Sequence, residues 1–188
     1  MAVNHQIRTI EARDNAAVEY IIRYCLTEFG ANHEGTAWAD PNLGHFYELY
    51  QEKGRKYWVA ENETGQLVAG VGIGPLPGTE DVCELQKMYC LPEARGVGVA
   101  YELLQLALEF AREHYRKCYL ETLGNMKVAQ RFYEKHGFIR IYEPVGTTGH
   151  MPVMCCISKI CKSEICKRKT QPGRERPGCV FVCGEVLV

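Results

Sequence analysis

A glycine-rich turn that precedes a long amphipathic segment is the part of the chain best suited to bind an anion. The turn is Arg95-Gly96-Val97-Gly98-Val99-Ala100, and residues 100–115 have the apolar periodicity of a helix. Glycines let backbone N–H groups approach an anion closely, and the N-terminus of a helix adds a favourable dipole. The turn therefore predicts a pyrophosphate-binding site, although a tight turn can also use glycine for structural reasons alone.

Two common nucleotide-binding loops do not fit this turn. A dinucleotide-binding loop has a third glycine, and an acidic residue about 20 residues later at a second strand. A nucleoside triphosphate loop has a Lys followed by Ser or Thr. Neither pattern is present around Gly98, so the sequence excludes both kinds of site.

The elements that would position the turn alternate between strands and helices. Period-two alternation, helical periodicity and turn residues predict their bounds. The predicted strands cover 6–12, 56–61, 67–73, 82–91, 119–122, 138–142 and 151–160, and the predicted later helices cover 100–115 and 127–135. From residue 56 onward, this order predicts an α/β fold in which a mixed sheet has helices on both faces.

Two further helices are predicted before the first hairpin. Asp14 is suited to be the N-cap of a helix that ends at Gly30. Asp40 and Pro41 are suited to start a second helix, with Pro at the first helical position, that runs to Gly54.

Composition and charge limit the classes of protein to which the chain can belong. The chain has 188 residues, of which 46% are hydrophobic and 24% are charged, enough for one domain with a core. A net charge of −1 gives no field that would attract nucleic acid or an anionic membrane. No apolar run reaches the roughly 18 residues of a membrane span, and the first residues lack the pattern of a secretory leader. We therefore predict a cytoplasmic protein that binds neither nucleic acid nor a membrane.

The ten cysteines allow two interpretations. An extracellular disulfide framework is one of them, but such frameworks serve small domains that lack a core. Four cysteines lie in apolar runs, where a reduced thiol packs as a small hydrophobic group. They are Cys25, Cys83, Cys90 and Cys118. The sequence therefore favours reduced cysteines without a catalytic role.

The composition changes at Cys161. Residues 161–188 contain six Lys or Arg and three Glu, which gives a net charge of +3, and they are rich in Pro and Gly over 167–178. We predict a domain over residues 1–160 and a basic, flexible extension over 161–188. The cysteines of the extension resemble a zinc site only loosely, because the usual Cys-x2-Cys pair is missing. We predict no metal.

Three segments resemble, in order, the motifs of the GNAT superfamily of N-acetyltransferases. The family signature is Gln/Arg-x-x-Gly-x-Gly/Ala, and residues 95–100 match every fixed position. Residues 84–93 (ELQKMYCLPE) are similar to the family's fourth strand, and residues 125–138 (NMKVAQRFYEKHGF) to its second cofactor motif. The resemblance covers residues 56–143. It implies the GNAT fold, in which the mixed sheet is mostly antiparallel, and acetyl-CoA as the co-substrate.

The resemblance assigns residues to each part of acetyl-CoA. It implies that the pyrophosphate is held by the amides of Arg95, Gly96, Val97, Gly98, Val99 and Ala100. The pantetheine arm would pair with the backbone of Met88, Tyr89 and Cys90, where the fourth and fifth strands separate. Asn125 would hydrogen-bond the same arm, unless it caps the helix that follows it. The Met88 amide would donate to the thioester carbonyl oxygen.

The resemblance also implies residues that move protons. An amine is protonated at neutral pH, so some group must accept its proton, and Glu84 matches the family's general base. Glu121, on the next strand, is a rival base. Tyr133 matches the residue that protonates the departing thiolate, since a phenol with a pKa of about 10 can donate to a thiolate whose pKa is about 8.5. The alternatives are a Glu84 on a solvated strand face and a Tyr133 that only packs beside Phe132.

The amine acceptor is the least constrained part of the prediction. Trp38, Phe46, Glu121 and His150 are expected to line its site, which would take a primary amine on a small molecule or a peptide. Bulky side chains at positions 88 and 89 favour an acetyl donor over a longer acyl group. A non-catalytic CoA-binding sensor is the alternative class of function. Pairing of the last strands between chains would form a homodimer.

Overall fold

The computed structural model describes residues 5–141, 143, 145, 146 and 154–159, which form one sheet with helices packed on it. The strands are β1 (Gln6–Thr9), β2 (Lys56–Glu61), β3 (Leu67–Pro75), β4 (Val82–Cys90), β5 (Lys117–Thr122), β6 (Ile139–Ile141) and β7 (Met154–Lys159). The helices are α1 (Asn15–Glu28), α2 (Phe46–Leu49), α3 (Val99–His114) and α4 (Lys127–Lys135). Each strand and helix predicted from residue 56 onward is present at its predicted place.

The strands form a sheet in the order β1-β2-β3-β4-β5-β7-β6. Neighbouring strands are antiparallel except β4 and β5, which are parallel and are joined by α3. A parallel connection needs such a crossover, whereas the β2–β3 hairpin closes with the short turn that Asn62 and Gly65 form, with an N–H to carbonyl distance of 2.9 Å. The prediction of a mixed, mostly antiparallel sheet is confirmed.

Both faces of the sheet are buried, and β3 shows how the sequence achieves this. Successive residues of a strand point to opposite faces. Ala69, Val71 and Ile73 pack in the core under α3, while Gly70 and Gly72 lie on the other face, against tyrosine rings. The helices on both faces that the sequence predicted are therefore confirmed.

Each face of the sheet has its own core, one formed with α3 and the other with α1. On α3 the buried side chains recur at helical spacing, and they pack with β2, β3 and β4. They are Val99, Leu103, Leu104, Ala107, Leu108 and Ala111. On α1, Val18, Ile22 and Leu26 pack against Phe46 and Tyr57 on the opposite face of the sheet.

Helix α1 begins at the predicted Asp14, but the carboxylate of this residue is used differently from a helix cap. It is 4% exposed and accepts hydrogen bonds from Arg8 Nη1 and Nη2 at 2.6 and 2.9 Å, and from the Glu11 N–H at 2.7 Å. Burial alone would raise the pKa of Asp14, but these hydrogen bonds and the positive charge of Arg8 hold it below its usual range. The ion pair ties α1 to β1.

The predicted helix from Asp40 and Pro41 to Gly54 is wrong. Only Phe46–Leu49 is α-helical. Asp40 has an extended backbone and its Oδ1 accepts from the Asn42 N–H at 2.9 Å, a turn that competes with helix initiation. Gly44, with φ of +89°, then takes the chain out of helical geometry.

Several predictions fall outside the described residues or stay untested. The domain boundary at residue 160, the extension 161–188 and His150 lie in the part of the chain that the structure does not describe. Within the described residues, no helix is long and apolar enough to cross a membrane. The predicted cytoplasmic location and homodimer stay predictions.

Candidate active site

The predicted pyrophosphate loop is an exposed turn of backbone at the start of α3. Gly96 and Gly98 have φ of +76° and +97°, in the left-handed region that disfavours a side chain. Within the described residues, the backbone N–H groups from 96 to 100 donate to no acceptor, whereas the Tyr101 N–H donates to the Gly98 carbonyl at 2.9 Å. A run of unpaired N–H groups at the N-terminus of a 16-residue helix fits the pyrophosphate of CoA.

A β-bulge interrupts β4 shortly before this loop. The register between β3 and β4 shifts between Gly70 and Gly72, so Lys87 and Met88 together face one residue of β3. Lys87 has φ of +49°, a conformation that costs a residue with a side chain about 1 kcal/mol. Neither Lys87 nor Met88 has a register partner in β3, so the backbone of β4 changes direction here.

Two contacts hold the bulge in place. The buried Tyr57 hydroxyl donates to the Lys87 carbonyl at 3.0 Å. The Lys87 ammonium lies 2.9 Å from Asp40 Oδ2, and both side chains are largely buried. Burial would raise the pKa of Asp40, but the charge of Lys87 holds it below its usual range. These contacts offset the strain at Lys87.

β4 and β5 separate just before the bulge. Their parallel pairing ends where Glu84 faces Tyr119, while β5 continues beside β7 as far as Thr122. Residues 85–90 of β4 therefore have an open edge toward β5. The separation of the fourth and fifth strands that the resemblance implied is confirmed.

A cleft of about 130 Å³, called the strand-gap cleft, lies between the separated strands. Its lining brings together four of the predicted site residues, Met88, Tyr89, Glu121 and Tyr133. The other lining residues are Leu26, Gly35, Thr36, Ala37, Leu85, Lys87, Leu120, Thr122, Leu123, Met126 and Ala129. The mostly apolar lining suits a pantetheine arm.

The sequence left open whether Tyr133 packs in the core or reaches the cofactor site, and the structure shows that it packs in the core and also lines the cleft. Its ring packs between Phe132 and Phe138, with centroid distances of 5.6 and 5.7 Å. It is 8% exposed and also lines the strand-gap cleft, as Met88 does. Core packing and access to the cleft are therefore compatible at this position.

Arg95 and Asn125 are engaged within the protein. The Arg95 guanidinium binds Glu28 at 2.8 and 2.6 Å and the Cys90 carbonyl at 2.9 Å, while its backbone N–H donates to Pro92 at 3.2 Å. Asn125 Nδ2 donates to the Phe29 carbonyl at 2.8 Å, at the end of α1. These contacts brace the loop and α4 against α1, and the contacts of Arg95 and Asn125 with a cofactor stay predictions.

A second cleft, of about 260 Å³ and here called the polar cleft, opens on the other side of the separation. It is lined by Ala37, Asp40, Asn42, Phe46, Leu49, Tyr50, Arg55, Pro75, Pro77, Glu84, Leu85, Gln86, Lys87, Tyr89 and Glu121. Five residues line both clefts, so the two spaces meet around them. They are Ala37, Leu85, Lys87, Tyr89 and Glu121.

The predicted acceptor residues differ in how they relate to the polar cleft. Phe46 lines it, although its side chain is only 1% exposed, and Glu121 lies where the two clefts meet. Trp38 is not part of the lining of either cleft. Arg23 stacks over its ring at 4.7 Å and donates to its carbonyl at 2.7 Å. The contact of Trp38 with an acceptor stays a prediction.

Glu84 lies in the polar cleft at the end of a chain of hydrogen bonds. The Tyr50 hydroxyl donates to Gln86 Oε1 at 2.9 Å, and Gln86 Nε2 donates to Glu84 Oε2 at 2.7 Å. The other carboxylate oxygen, Oε1, makes no hydrogen bond to a described residue. Burial raises the pKa of Glu84, and the Gln86 hydrogen bond and the charge of Lys87 partly oppose this shift. A half-buried carboxylate with a raised pKa has the properties of a general base.

A glycine makes room for this chain. A Cβ added to Gly72 would lie 2.5 Å from the Tyr50 hydroxyl oxygen and 2.8 Å from a ring carbon of Tyr50. The tyrosine can therefore lie flat on β3 and reach Gln86 only because residue 72 has no side chain. Burial also raises the pKa of Tyr50 above its ordinary value, so its hydroxyl stays protonated and remains a donor.

Three cysteines, Cys25, Cys90 and Cys118, are poor nucleophiles. Cys25, Cys83 and Cys118 are buried free thiols, and Cys90 is half-buried. Burial raises the pKa of Cys25, and it raises the pKa of Cys90 to about 12. A hydrogen bond with Cys83, together with burial, raises the pKa of Cys118. Thiols of this kind are almost wholly protonated at neutral pH, which fits the prediction of cysteines without a catalytic role.

Several residues of the polar cleft were not predicted from the sequence. They are Asp40, Tyr50, Arg55, Gln86 and Lys87. Gln86 had a signal, because it lies two residues after Glu84 on a predicted strand and so shares its face. Asp40 and Tyr50 come from the segment that was predicted as a helix, and Arg55 follows it directly. The true path of this segment depends on tertiary contacts with β3 and β4.

Comparisons with known proteins agree with this geometry. The model of the acetyltransferase (GNAT) family matches residues 17–138. YjgM of Escherichia coli K12, described as an uncharacterised N-acetyltransferase, is 45% identical over 148 residues, which cover 77% of this chain and 88% of YjgM.

Solved structures show the same fold. A GNAT-family acetyltransferase of Staphylococcus aureus Mu50 superposes with a TM-score of 0.73 at 19% identity, over 84% of this chain and 99% of that one. The acetyltransferase yncA of Salmonella typhimurium, solved with acetyl-CoA, superposes with a TM-score of 0.65 at 20% identity, over 84% and 94% of the two chains. The family model and the similarity to YjgM, together with the loop and the separated strands, show that the chain belongs to the GNAT family of N-acetyltransferases.

Proposed function

We propose that the chain transfers the acetyl group of acetyl-CoA to a primary amine, by direct attack of the amine while both substrates are bound. The observation that carries the proposal is that the strand-gap cleft and the polar cleft meet where β4 and β5 separate. One substrate could then lie on each side of Leu85 and Tyr89, with the reacting atoms between them. The membership of the GNAT family and the acetyl-CoA in the yncA structure support the choice of donor.

The residues that would hold acetyl-CoA form a continuous path. The unpaired N–H groups from Gly96 to Ala100 would bind the pyrophosphate, and the open edge of β4 from 88 to 90 would pair with the pantetheine arm. Acetyl-CoA supplies the acetyl group as a thioester. At the bulge, the Met88 N–H would donate to the carbonyl oxygen and stabilise the charge that develops on it.

Two side chains would move the protons. Glu84 would accept the proton of the amine, directly or through a water molecule, because it lines the polar cleft and Gln86 holds one of its oxygens, Oε2. Glu121, where the clefts meet, is the rival for this role. Tyr133, which lines the strand-gap cleft, would donate its hydroxyl proton to the sulfur of the departing CoA.

The test is mass spectrometry of transfer from isotopically labelled acetyl-CoA to a panel of amino acids, polyamines, aminoglycosides and peptides. We expect a labelled N-acetyl product from wild-type protein and at least about a hundredfold slower transfer by Glu84→Gln, the size of a typical general-base effect. Acetyl-CoA binding without a product from any amine would favour a sensor instead. A faster reaction with propionyl-CoA or longer donors, measured in competition, would replace acetyl with a longer acyl group.

A further inference from the structure

Arg55 lies in the polar cleft, and only one nitrogen of its guanidinium group makes a hydrogen bond within the described residues. Its side chain is 20% exposed, and its Nε donates to the exposed Glu52 at 2.9 Å. Neither terminal nitrogen makes a hydrogen bond to a described residue. By contrast, Arg8 and Arg95 place both of their terminal nitrogens on carboxylates. Two parallel donors of Arg55 are therefore available to a ligand.

These donors lie beside Glu84. Gly74 of β3 is the register partner of Glu84, so the two residues share one face of the sheet, with Cβ positions about 5 Å apart. A Cβ added to Gly74 would lie 2.8 Å from Arg55 Nη1. Gln86 Oε1 lies 2.7 Å from the same position. The guanidinium and the Gln86 amide therefore share the space of the missing Gly74 side chain, next to the proposed general base.

The guanidinium of Arg55 favours an acceptor that carries an acidic group. An ammonium ion alone would be attracted by Glu84 and Glu121 but repelled by Arg55. The other cation of the cleft, Lys87, is already paired with Asp40 at 2.9 Å. Arg55 is also paired, with Glu52, but through Nε, so among the described cations of the cleft it keeps two terminal nitrogens for a negative charge on the acceptor. A planar guanidinium binds a carboxylate with two parallel hydrogen bonds, and this pairing is stronger than a bond between neutral groups.

The size of the cleft limits the acceptor further. Its volume of about 260 Å³ is below the roughly 300–1,000 Å³ of pockets for drug-sized ligands. An amine beside Glu84 and an anion beside Arg55 would be separated by only a few bonds, because the two side chains are neighbours on one face of the sheet. A diamine of that length would place its second cation beside Arg55, where like charges repel.

We propose that the acceptor is a small free amino acid, whose amine lies beside Glu84 and whose carboxylate is bound by the terminal nitrogens of Arg55. This inference rests on the proposed function and names the class of acceptor for the same site. Arg55 then determines specificity, while the proton transfer belongs to Glu84.

The experiment compares matched substrates that differ only in the acidic group. Initial rates of labelled acetyl transfer are measured for each of the twenty amino acids and for its carboxamide, which has the same side chain and amine without the carboxylate. For the preferred amino acid we expect kcat/KM at least tenfold above that of its carboxamide, and we expect Arg55→Gln to abolish this preference by raising KM for the acid. Comparing two substrates of one variant cancels any effect of Arg55 on Glu84.

Glu52→Gln is the control for a purely structural role of Arg55, because it removes the same ion pair and leaves the guanidinium in place. We expect it to keep the preference for the acid. Equal loss of preference in Glu52→Gln and Arg55→Gln would overturn the inference, as would wild-type protein that favours carboxamides, peptides or polyamines, with the proposed function intact. Transfer to no amine at all would instead overturn the proposed function and this inference with it.

Discussion

Glu84 is a base whose strength is set by its immediate neighbours. Burial raises its pKa, while the Gln86 amide donates to one of its oxygens and opposes the shift. The Tyr50 hydroxyl fixes the orientation of that amide, because it donates to Gln86 Oε1 and so directs Nε2 toward Glu84. Gln86 and Tyr50 therefore act as positioning residues.

Gln86→Leu should move the acid limb of the pH–rate profile to higher pH. The ionised carboxylate loses a donor that stabilises it, so its pKa rises, and the base is active only when ionised. Loss of a hydrogen bond to a charged group predicts kcat/KM about tenfold lower on that limb. Initial rates across pH measure this. Tyr50→Phe should shift the limb in the same direction by less, and an unchanged limb in both variants would contradict the role.

Tyr133→Phe should lower kcat by at least about a hundredfold, which is the lower range for general acid catalysis. The ring that packs between Phe132 and Phe138 is kept, so the melting temperature should change little. Phe132→Leu is the control, since it alters the packing and leaves the hydroxyl of Tyr133. A Tyr133→Phe variant that turns over like wild type would show that the residue only packs.

At the scale of elements, the loop before α3 could be predicted from local residues, whereas the separation of the strands could not. The turn 95–100 was predictable, because glycines at a strand-to-helix junction leave a local pattern. The separation of β4 and β5 came only from the resemblance. The bulge at Lys87 was missed, since a left-handed lysine depends on Tyr57 and Asp40, which are distant in sequence.

Gly98→Ala should weaken acetyl-CoA binding. Its φ of +97° is unfavourable for alanine by about 1–2 kcal/mol, and relaxation of this strain would turn the N–H groups of the loop away from the pyrophosphate. Titration calorimetry should show Kd raised about tenfold.

Gly65→Ala is the matched control for this change. It has φ of +78° in the β2–β3 turn, and an added Cβ there meets nothing within 4 Å. It should cost similar stability and leave the Kd for acetyl-CoA unchanged. Equal weakening of binding by both variants would show that the loop has no special role.

The Arg8–Asp14 pair that ties α1 to β1 should be important for stability and sensitive to acid. Asp14→Asn should lower the free energy of unfolding at pH 7 by about 2 kcal/mol, since it leaves a buried guanidinium partly unpaired. The pKa of Asp14 is lower in the folded state than in the unfolded state. Its contribution is therefore full above the unfolded value of about 3.9 and is lost as the pH falls through the folded pKa.

Urea unfolding of wild type and variant at pH 7 and near pH 3 measures this difference. Asp81→Asn is the control, because Asp81 and Arg116 form an ion pair whose side chains are 59% and 73% exposed. An exposed pair should contribute less than about 1 kcal/mol. A loss for Asp14→Asn no larger than for Asp81→Asn at pH 7 would contradict the importance of the buried pair.

At the scale of the whole molecule, the fold was predictable from residue 56 onward and the acceptor site was not. The strands and helices of that part have clear periodicity, and the resemblance supplied their arrangement. The segment 40–54 has the turn residues Asp40 and Gly44 inside an apolar pattern, so local signals alone gave the wrong element there. One wall of the polar cleft comes from that segment and from Arg55, which follows it, and this is why Tyr50 and Arg55 were not found from the sequence.

The meeting of two clefts predicts that both substrates are bound when the acetyl group moves. Cys25 and Cys118 are buried, Cys90 is half-buried, and the raised pKa of all three keeps them from supplying a thiolate for a covalent acetyl-enzyme. The direct measurement is a matrix of initial rates in which acetyl-CoA and the acceptor found in the labelled panel are both varied. Intersecting double-reciprocal lines are the predicted result, because a ternary complex forms. Parallel lines, which indicate a covalent intermediate, would contradict the account.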